Sequence, residues 1–222
     1  MAQNVPVMTL DGPSGAGKGT VSRAIAQRLG WHYLDSGAIY RALAIAALDA
    51  QLALDDVDGI VRTATAMDLR FEPGEPPLVI LNGADVSPLL GLEVTGDAAS
   101  RVAALGPVRD ALLQKQRGFR KAPGLVADGR DMGTVVFTDA GCKIFLTASA
   151  EERALRRYKQ LKEKGVDVSL PDLTREIEER DRRDRERSQA PLKMADDAHL
   201  VDSSAMSIEA VIARCLEILQ SC

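Results

Sequence analysis

The residues Gly12-Pro13-Ser14-Gly15-Ala16-Gly17-Lys18-Gly19-Thr20 are a chemistry-bearing stretch. They follow an apolar run, Val5 to Leu10, whose composition predicts a strand. They open an amphipathic segment with Val21, Ala24, Ile25 and Leu29 at helical spacing, closed by Gly30. Strand, glycine loop and helix together are the context of a phosphate-binding loop. Glycines let the backbone curl without Cβ clashes, so several N–H groups converge on one point. The helix N-terminus adds a partial positive charge beneath them, and Lys18 adds a full one. A glycine-rich turn that binds nothing would explain the glycines but not the lysine between strand and helix. One position departs from the strict pattern. Gly19 stands where a Ser or Thr hydroxyl ordinarily ligates Mg²⁺, and Thr20 comes one residue later. The loop therefore specifies how phosphates are held more fully than how a metal is.

Three further groups carry charge in suggestive patterns. In Asp35-Ser36-Gly37-Ala38-Ile39-Tyr40-Arg41, Tyr40 and Arg41 fall on the first turns of a predicted helix. A guanidinium there can grip a phosphate bidentately, although charge patterning alone also allows a surface arginine. Asp128-Gly129-Arg130-Asp131 follows an apolar run. A carboxylate ending such a strand beside a phosphate loop suits Mg²⁺ held through water; a simple strand-end turn explains the glycine but not two Asp flanking an Arg. The third group is arginine-dense: Arg153, Arg156, Arg157, Arg180, Arg182, Arg183, Arg185 and Arg187. Alternating Arg with Asp and Glu is often only a solvated, salt-bridged helix. Here Arg180, Asp184 and Arg187 follow i, i+4, i+7 spacing, one face that could close over a ligand. Phosphoryl transfer needs charge neutralisation, in-line alignment and exclusion of water, and an arginine-rich lid supplies all three.

These groups need elements to position them. Trp31 to Leu34 reads as a second strand, with a helix following through Ile39, Leu43 and Ala47. Asp55 to Met67 is predicted helical. Leu69 to Phe71 and Leu78 to Leu81 are short strands around Pro73-Gly74-Glu75-Pro76-Pro77, and Asn82-Gly83 is a hairpin signal. Helices are expected over 89–105 and 108–120, then strands over 125–128 and 142–147. Ser149 with Glu152 forms a capping box opening a helix, a second charged helix runs over 171–187, and a strand over 200–202 precedes a last helix. That last helix is expected to bury Ile208, Val211, Ile212, Cys215 and Leu219. Five strands alternating with helices give a doubly wound α/β fold with a parallel sheet. In such sheets ligands sit at the carboxyl ends of the strands, where all four charged groups fall.

Composition sets outer bounds. The chain has 222 residues, 45% hydrophobic, enough for one sizeable core with a small insert. A net charge of −4 argues against nucleic acid as a partner, and the carboxylates of the arginine helix largely cancel its field. The three cysteines, Cys142, Cys215 and Cys222, are scattered and read as cytosolic thiols. No basic leader precedes an apolar core, and no run reaches membrane-spanning length, so a soluble cytoplasmic protein is expected.

Gly-Lys-Gly-Thr resembles the nucleoside monophosphate kinases rather than the GTPases. Joined to Leu34-Asp35-Ser36-Gly37-Ala38-Ile39-Tyr40-Arg41, Ala127-Asp128-Gly129-Arg130-Asp131-Met132-Gly133-Thr134-Val135-Val136-Phe137 and Glu179-Arg180-Asp181 through Asp184-Arg185, it resembles the bacterial cytidylate kinases over essentially the whole chain. The resemblance implies a P-loop sheet with an inserted monophosphate-binding domain and an arginine-rich lid. The core would comprise about 1–62, 106–150 and 188–222, the insert about 63–105 and the lid about 151–187.

The resemblance further implies transfer of the γ-phosphoryl group of ATP to CMP or dCMP, with Mg²⁺ held by the nucleotide phosphates and water, by a monomer. ATP phosphates would lie on Gly12 to Thr20. Arg41 and Arg130 would grip the CMP phosphate, with Ser14, Ser36 and Tyr40 in the CMP set. Ser100, Arg109 and Asp131 would read cytosine. Arg180 and Asp184 would meet the sugar, with Arg187 approaching the same nucleotide. Lys18, Arg130, Asp128 and the lid arginines Arg153 and Arg157 would serve the transferring phosphoryl group. Ser100 and Arg109 rest on the resemblance alone. Another small-acceptor P-loop kinase, such as an adenylate or shikimate kinase, and a nucleotide-binding regulator without turnover are the competing readings. The insert and the Asp-Gly-Arg-Asp turn weigh against the first.

Overall fold

The computed structural model describes residues 5–72, 78–163 and 165–222. The chain divides into two compact units, Met1–Leu34 with Arg117–Cys222, and Asp35–Gln116. The expected insert, 63–105, lies inside the second unit, which also takes in the helices on either side of it.

The first unit is built on a five-stranded sheet in the order β2-β6-β1-β7-β8. Its strands are β1 (Val7–Asp11), β2 (His32–Asp35), β6 (Leu125–Gly129), β7 (Cys142–Thr147) and β8 (His199–Asp202). β1 pairs in parallel with both β6 and β7, so every one of its residues is buried. That explains its continuous apolar run in place of alternation. β7 pairs in parallel with β8. Helices α1 (Lys18–Leu29) and α8 (Ile208–Ser221) share one core with the sheet, built from Met8, Leu10, Ile25, Val126, Ile144, Leu146, Val211, Ile212, Cys215 and Ile218. One expectation for α8 changes: Ile208 is exposed, while Leu219 is partly buried against the core, which Ile218 also joins. Ile208 is the first residue of α8, just past its Ser207 cap, and the inward face runs 211, 212, 215, 218.

After β7 come α6 (Ala150–Glu163) and α7 (Leu170–Glu186). Ala154, Leu161 and Leu173 form a small core between them, flanked by Tyr158, Val168 and Ile177. The capping box is half made. The Glu152 N–H donates to Ser149 Oγ at 3.2 Å, but the Ser149 N–H goes to Ser204 Oγ at 3.0 Å, and the Glu152 carboxylate pairs with Arg156.

The second unit holds α2 (Ser36–Asp49), α3 (Val57–Ala66), an antiparallel sheet β3-β4-β5, α4 (Glu93–Val102) and α5 (Gly106–Arg117). Its strands are β3 (Leu69–Glu72), β4 (Leu78–Leu81) and β5 (Ala84–Asp85). Asn82 and Gly83 both take positive φ, 50° and 86°, as the hairpin signal requires. The proposed turn over Pro73 to Pro77 lies outside the described residues. The helix expected over 89–105 is broken. A 3₁₀ turn over Ser87–Leu89 comes first, and α4 starts only after Gly91, with Leu89 and Leu92 exposed. Asp35 caps α2 by accepting the Ala38 N–H at 2.9 Å.

Candidate active site

The glycine loop connects β1 to α1 at the carboxyl end of the central strand. Gly12 is there for want of space, because a β-carbon would lie 1.9 Å from the Leu146 carbonyl oxygen. Gly17 caps α1 with φ 91°, a conformation other residues rarely adopt. Lys18, the first residue of α1, is 6% exposed and donates from Nζ to the Pro13 carbonyl at 2.8 Å. Burial, then the charge of Arg130, push the Lys18 ammonium down to about 7 against the pull of Asp128, Asp11 and Asp184.

Asp11, which sequence reasoning did not single out, ends β1 and is buried. It accepts the N–H groups of Met132 and Gly133 at 2.8 and 2.7 Å. Burial raises its carboxyl to about 6, with those two N–H bonds opposing. The bonds fasten a π-helical turn, Met132–Val136, beyond the end of β6, and that turn follows directly on Asp131. A buried strand-end carboxylate immediately before the glycine loop was the available signal.

Asp128 and Asp131 are both buried. Asp128 accepts the Tyr33 hydroxyl at 2.6 Å. A β-carbon on Gly19 would lie 3.5 Å from that hydroxyl and 3.8 Å from Asp128 Oδ2. The ground left by the absent Ser or Thr is thus faced by a carboxylate, a hard oxygen donor of the kind Mg²⁺ accepts directly or through water, and by the phenol that donates to it. Among the described residues no cluster of three or more His, Cys, Asp or Glu is placed to hold a metal without a substrate's help.

Three of the expected arginines, Arg130, Arg153 and Arg187, face carboxylates. Arg130 Nε donates to Asp184 Oδ2 at 2.6 Å, and an Arg187 terminal nitrogen lies 3.9 Å from Asp131 Oδ1. Burial works against the charges of Arg130 and Asp184 but their pairing outweighs it, so the guanidinium is held above and the carboxyl below its ordinary range. Arg187 stands just past the end of α7, so it leaves the helical face on which spacing had grouped it with Arg180 and Asp184. Arg153, in the first turn of α6, is 3% exposed and binds Asp181 with both terminal nitrogens. Arg157 sits one turn further along α6, half-buried.

The second unit carries the remaining predicted residues. The Arg109 guanidinium lies over the Tyr40 ring at 5.5 Å from its centroid and donates to the Ala103 carbonyl at 3.1 Å. Ser100 is buried and its hydroxyl has no hydrogen-bond partner, which is costly unless a ligand supplies one. Ser36 Oγ donates to Gln116 at 2.9 Å, both buried, so this serine is held by protein. Arg41 lies beside Gly37, where a β-carbon would come within 3.2 Å of its guanidinium.

Comparison with known proteins places the chain in a family. The family model described as cytidylate kinase matches residues 8–221. A curated cytidylate kinase of Methylococcus capsulatus is 59% identical over 221 residues, covering 100% of both chains. One from Aeromonas hydrophila is 58% identical over 217 residues, 97% of this chain and 94% of its own. A solved structure of an uncharacterized protein from Eubacterium ventriosum aligns over 99% of this chain and 100% of its own, at 10% identity and a TM-score of 0.50, a likeness of fold. Because the family's model spans nearly the whole chain and these relatives share most of its residues end to end, the protein belongs to the cytidylate kinase family.

Proposed function

We infer that the protein transfers the γ-phosphoryl group of ATP to CMP or dCMP, releasing ADP and CDP or dCDP. The observation that carries phosphoryl transfer is the glycine loop with buried Lys18 at its end. The choice of cytidine rests on family membership.

In this reading Gly12 to Thr20 hold the ATP phosphates through backbone N–H groups, and Lys18 takes up a proton as their charge arrives. Arg41 and Arg130 hold the acceptor phosphate, with Ser14, Ser36 and Tyr40 in the same set. Ser100, Arg109 and Asp131 read the base; the unpartnered Ser100 hydroxyl supports its share. Arg180, Asp184 and Arg187 meet the sugar side. Arg157 and Arg153 belong to the lid, about 151–187, and residues 63–105 to the monophosphate-binding region. The acceptor oxygen attacks in line while Lys18, Arg130 and Arg157 neutralise charge building on the transferring group.

Mg²⁺ is the implied metal; the nucleotide phosphates and, through water, Asp128 would hold it. It would screen the phosphate oxygens and orient them for in-line attack. Tyr33 keeps the Asp128 carboxylate in one orientation. The reading takes the protein to be a cytoplasmic monomer that binds no nucleic acid; no described helix is long and apolar enough to cross a membrane.

A panel of nucleoside monophosphates with ATP, Mg²⁺ and coupled ADP detection tests the proposal. CMP and dCMP should be turned over far faster than AMP, GMP or shikimate. Turnover of AMP or shikimate in preference to CMP would overturn it, as would ADP release that no acceptor stimulates.

A further inference from the structure

The family resemblance directs Arg153 to the transferring phosphoryl group, yet its guanidinium is committed elsewhere. Nε donates to the Ala148 carbonyl at 3.0 Å. One terminal nitrogen donates to the Ser14 carbonyl at 2.8 Å and to Asp181 Oδ1 at 3.1 Å, and the other to Asp181 Oδ2. Its stem runs beneath Gly15, where a β-carbon would lie 3.2 Å from Arg153 Cβ. One side chain therefore joins the end of β7, the glycine loop and α7. Asp181 is 4% exposed; its other close cation, Arg185, is 4.0 Å away and largely in solvent. For Arg153 to swing onto a phosphate, Asp181 would be left buried without its main partner, a costly arrangement.

The Ser14 carbonyl and the Gly15 N–H belong to one planar trans peptide and point in opposite directions. Whatever holds the carbonyl also aims the N–H, and N–H groups are the phosphate ligands of such a loop. The bidentate pairing with Asp181 fixes the plane of the guanidinium that does the holding.

We propose that Arg153 and Asp181 are positioning residues: they transmit the placement of α7 to the Ser14–Gly15 peptide, and Arg153 acts on phosphoryl transfer through the loop rather than by touching phosphate. The proposal rests on the reading that this loop holds ATP. It separates two behaviours of Asp181. If Arg153 served the phosphoryl group directly, Asp181→Asn would loosen its restraint and leave turnover intact or improved. If the pair positions the loop, Asp181→Asn harms turnover as Arg153→Lys does.

The test uses Asp181→Asn, Arg153→Lys and the double variant in the full chain. kcat/KM for ATP should fall roughly 10- to 100-fold in each single variant, the scale expected for misplacement without loss of a reacting group. The double variant should lose little more than the worse single one, because both break one linkage. Hydrogen exchange at the amides of Gly15 to Lys18 should quicken in both single variants without nucleotide. Unchanged loop exchange in Asp181→Asn, or turnover at or above wild type in it, overturns the proposal. Should Arg153→Lys fail to fold, the near-isosteric Asp181→Asn decides alone. Loop exchange needs no substrate, so a wild type inert toward CMP would sink the kinase reading while leaving this result interpretable.

Discussion

Lys18 shows how one buried group sets a pH dependence. Burial and Arg130 lower its ammonium to about 7, whereas phosphate oxygens favour the charged form. At pH 8 the side chain is largely neutral before ATP arrives and charged afterwards. ATP binding at pH 8 should therefore take up close to one proton, and the uptake should shrink as pH falls below 7. Calorimetry in buffers of different ionisation enthalpy measures this; Lys18→Met should abolish the uptake and lower kcat at least about 10²-fold, the usual cost of one transition-state charge donor. Asp131 makes a second prediction. A carboxylate accepts from the exocyclic amine of cytosine and repels the carbonyl of uracil, whereas an amide can turn to serve either. Asp131→Asn should erode the preference for CMP over UMP by about 1–3 kcal/mol, read as kcat/KM for both nucleotides. An equal fall for both would assign Asp131 to ordering Arg187 and the turn instead. The residues proposed to read the base also mark where the sequence stops being legible. Ser100 and Arg109 have no local signature, because Arg109 reaches Tyr40 only through the packing of a unit that spans 35–116. Asp181 was hidden for a related reason. On a helix of alternating charges, periodicity does not say which carboxylate meets an arginine 28 positions away.

Among the elements, the π-helical turn over Met132–Val136 links the loop to Asp131, the carboxylate proposed to read the base. Asp11 holds its first two N–H groups, and Gly133 lets it approach β1 closely. A β-carbon on Gly133 would lie 2.9 Å from Thr9 Oγ1 and 3.1 Å from Lys143 Cδ. Gly133→Ala should therefore destabilise the protein by about 1–3 kcal/mol, the cost of overpacking, with a matching fall in the urea midpoint. It should also displace Asp131, so the CMP preference should fall along with stability. Elements whose signals are local were readable in advance. Gly30 sits at the end of α1 as expected of a cap, and Asn82-Gly83 turns a hairpin. The central strands β1 and β6, buried at every residue, show in the sequence as apolar runs because a parallel sheet buries both faces. The helix expected over 89–105 starts late: a 3₁₀ turn over Ser87–Leu89 and then Gly91 precede α4, and Leu89 and Leu92 are exposed. Likewise Ser149 and Glu152 matched a capping box whose return half was taken by competitors, Ser204 for the amide and Arg156 for the carboxylate.

At the scale of the molecule, β1 is the hub. It lies between β6 and β7, and its carboxyl end carries the glycine loop. Leu10 is fully buried on this strand, so Leu10→Ala should cost about 2–5 kcal/mol. Urea denaturation measures it, and ATP affinity should fall with it if the loop is positioned by the strand. The order in which the hub is built has its own consequence. β1 is the first strand of the chain, but its partners are residues 125–129 and 142–145. A ribosome adds about 5–20 residues per second, so the nascent hub waits on the order of ten seconds for neighbours to pair with. During that interval Val7, Met8 and Leu10 form an unpaired apolar strand. The phosphate loop therefore takes shape only once the partner strands of β1 are made, although its own residues are made well before theirs. A translating chain halted before β7 would contain every residue of Gly12 to Thr20 and still have no strand to hold the Gly12 end of the loop against Leu146.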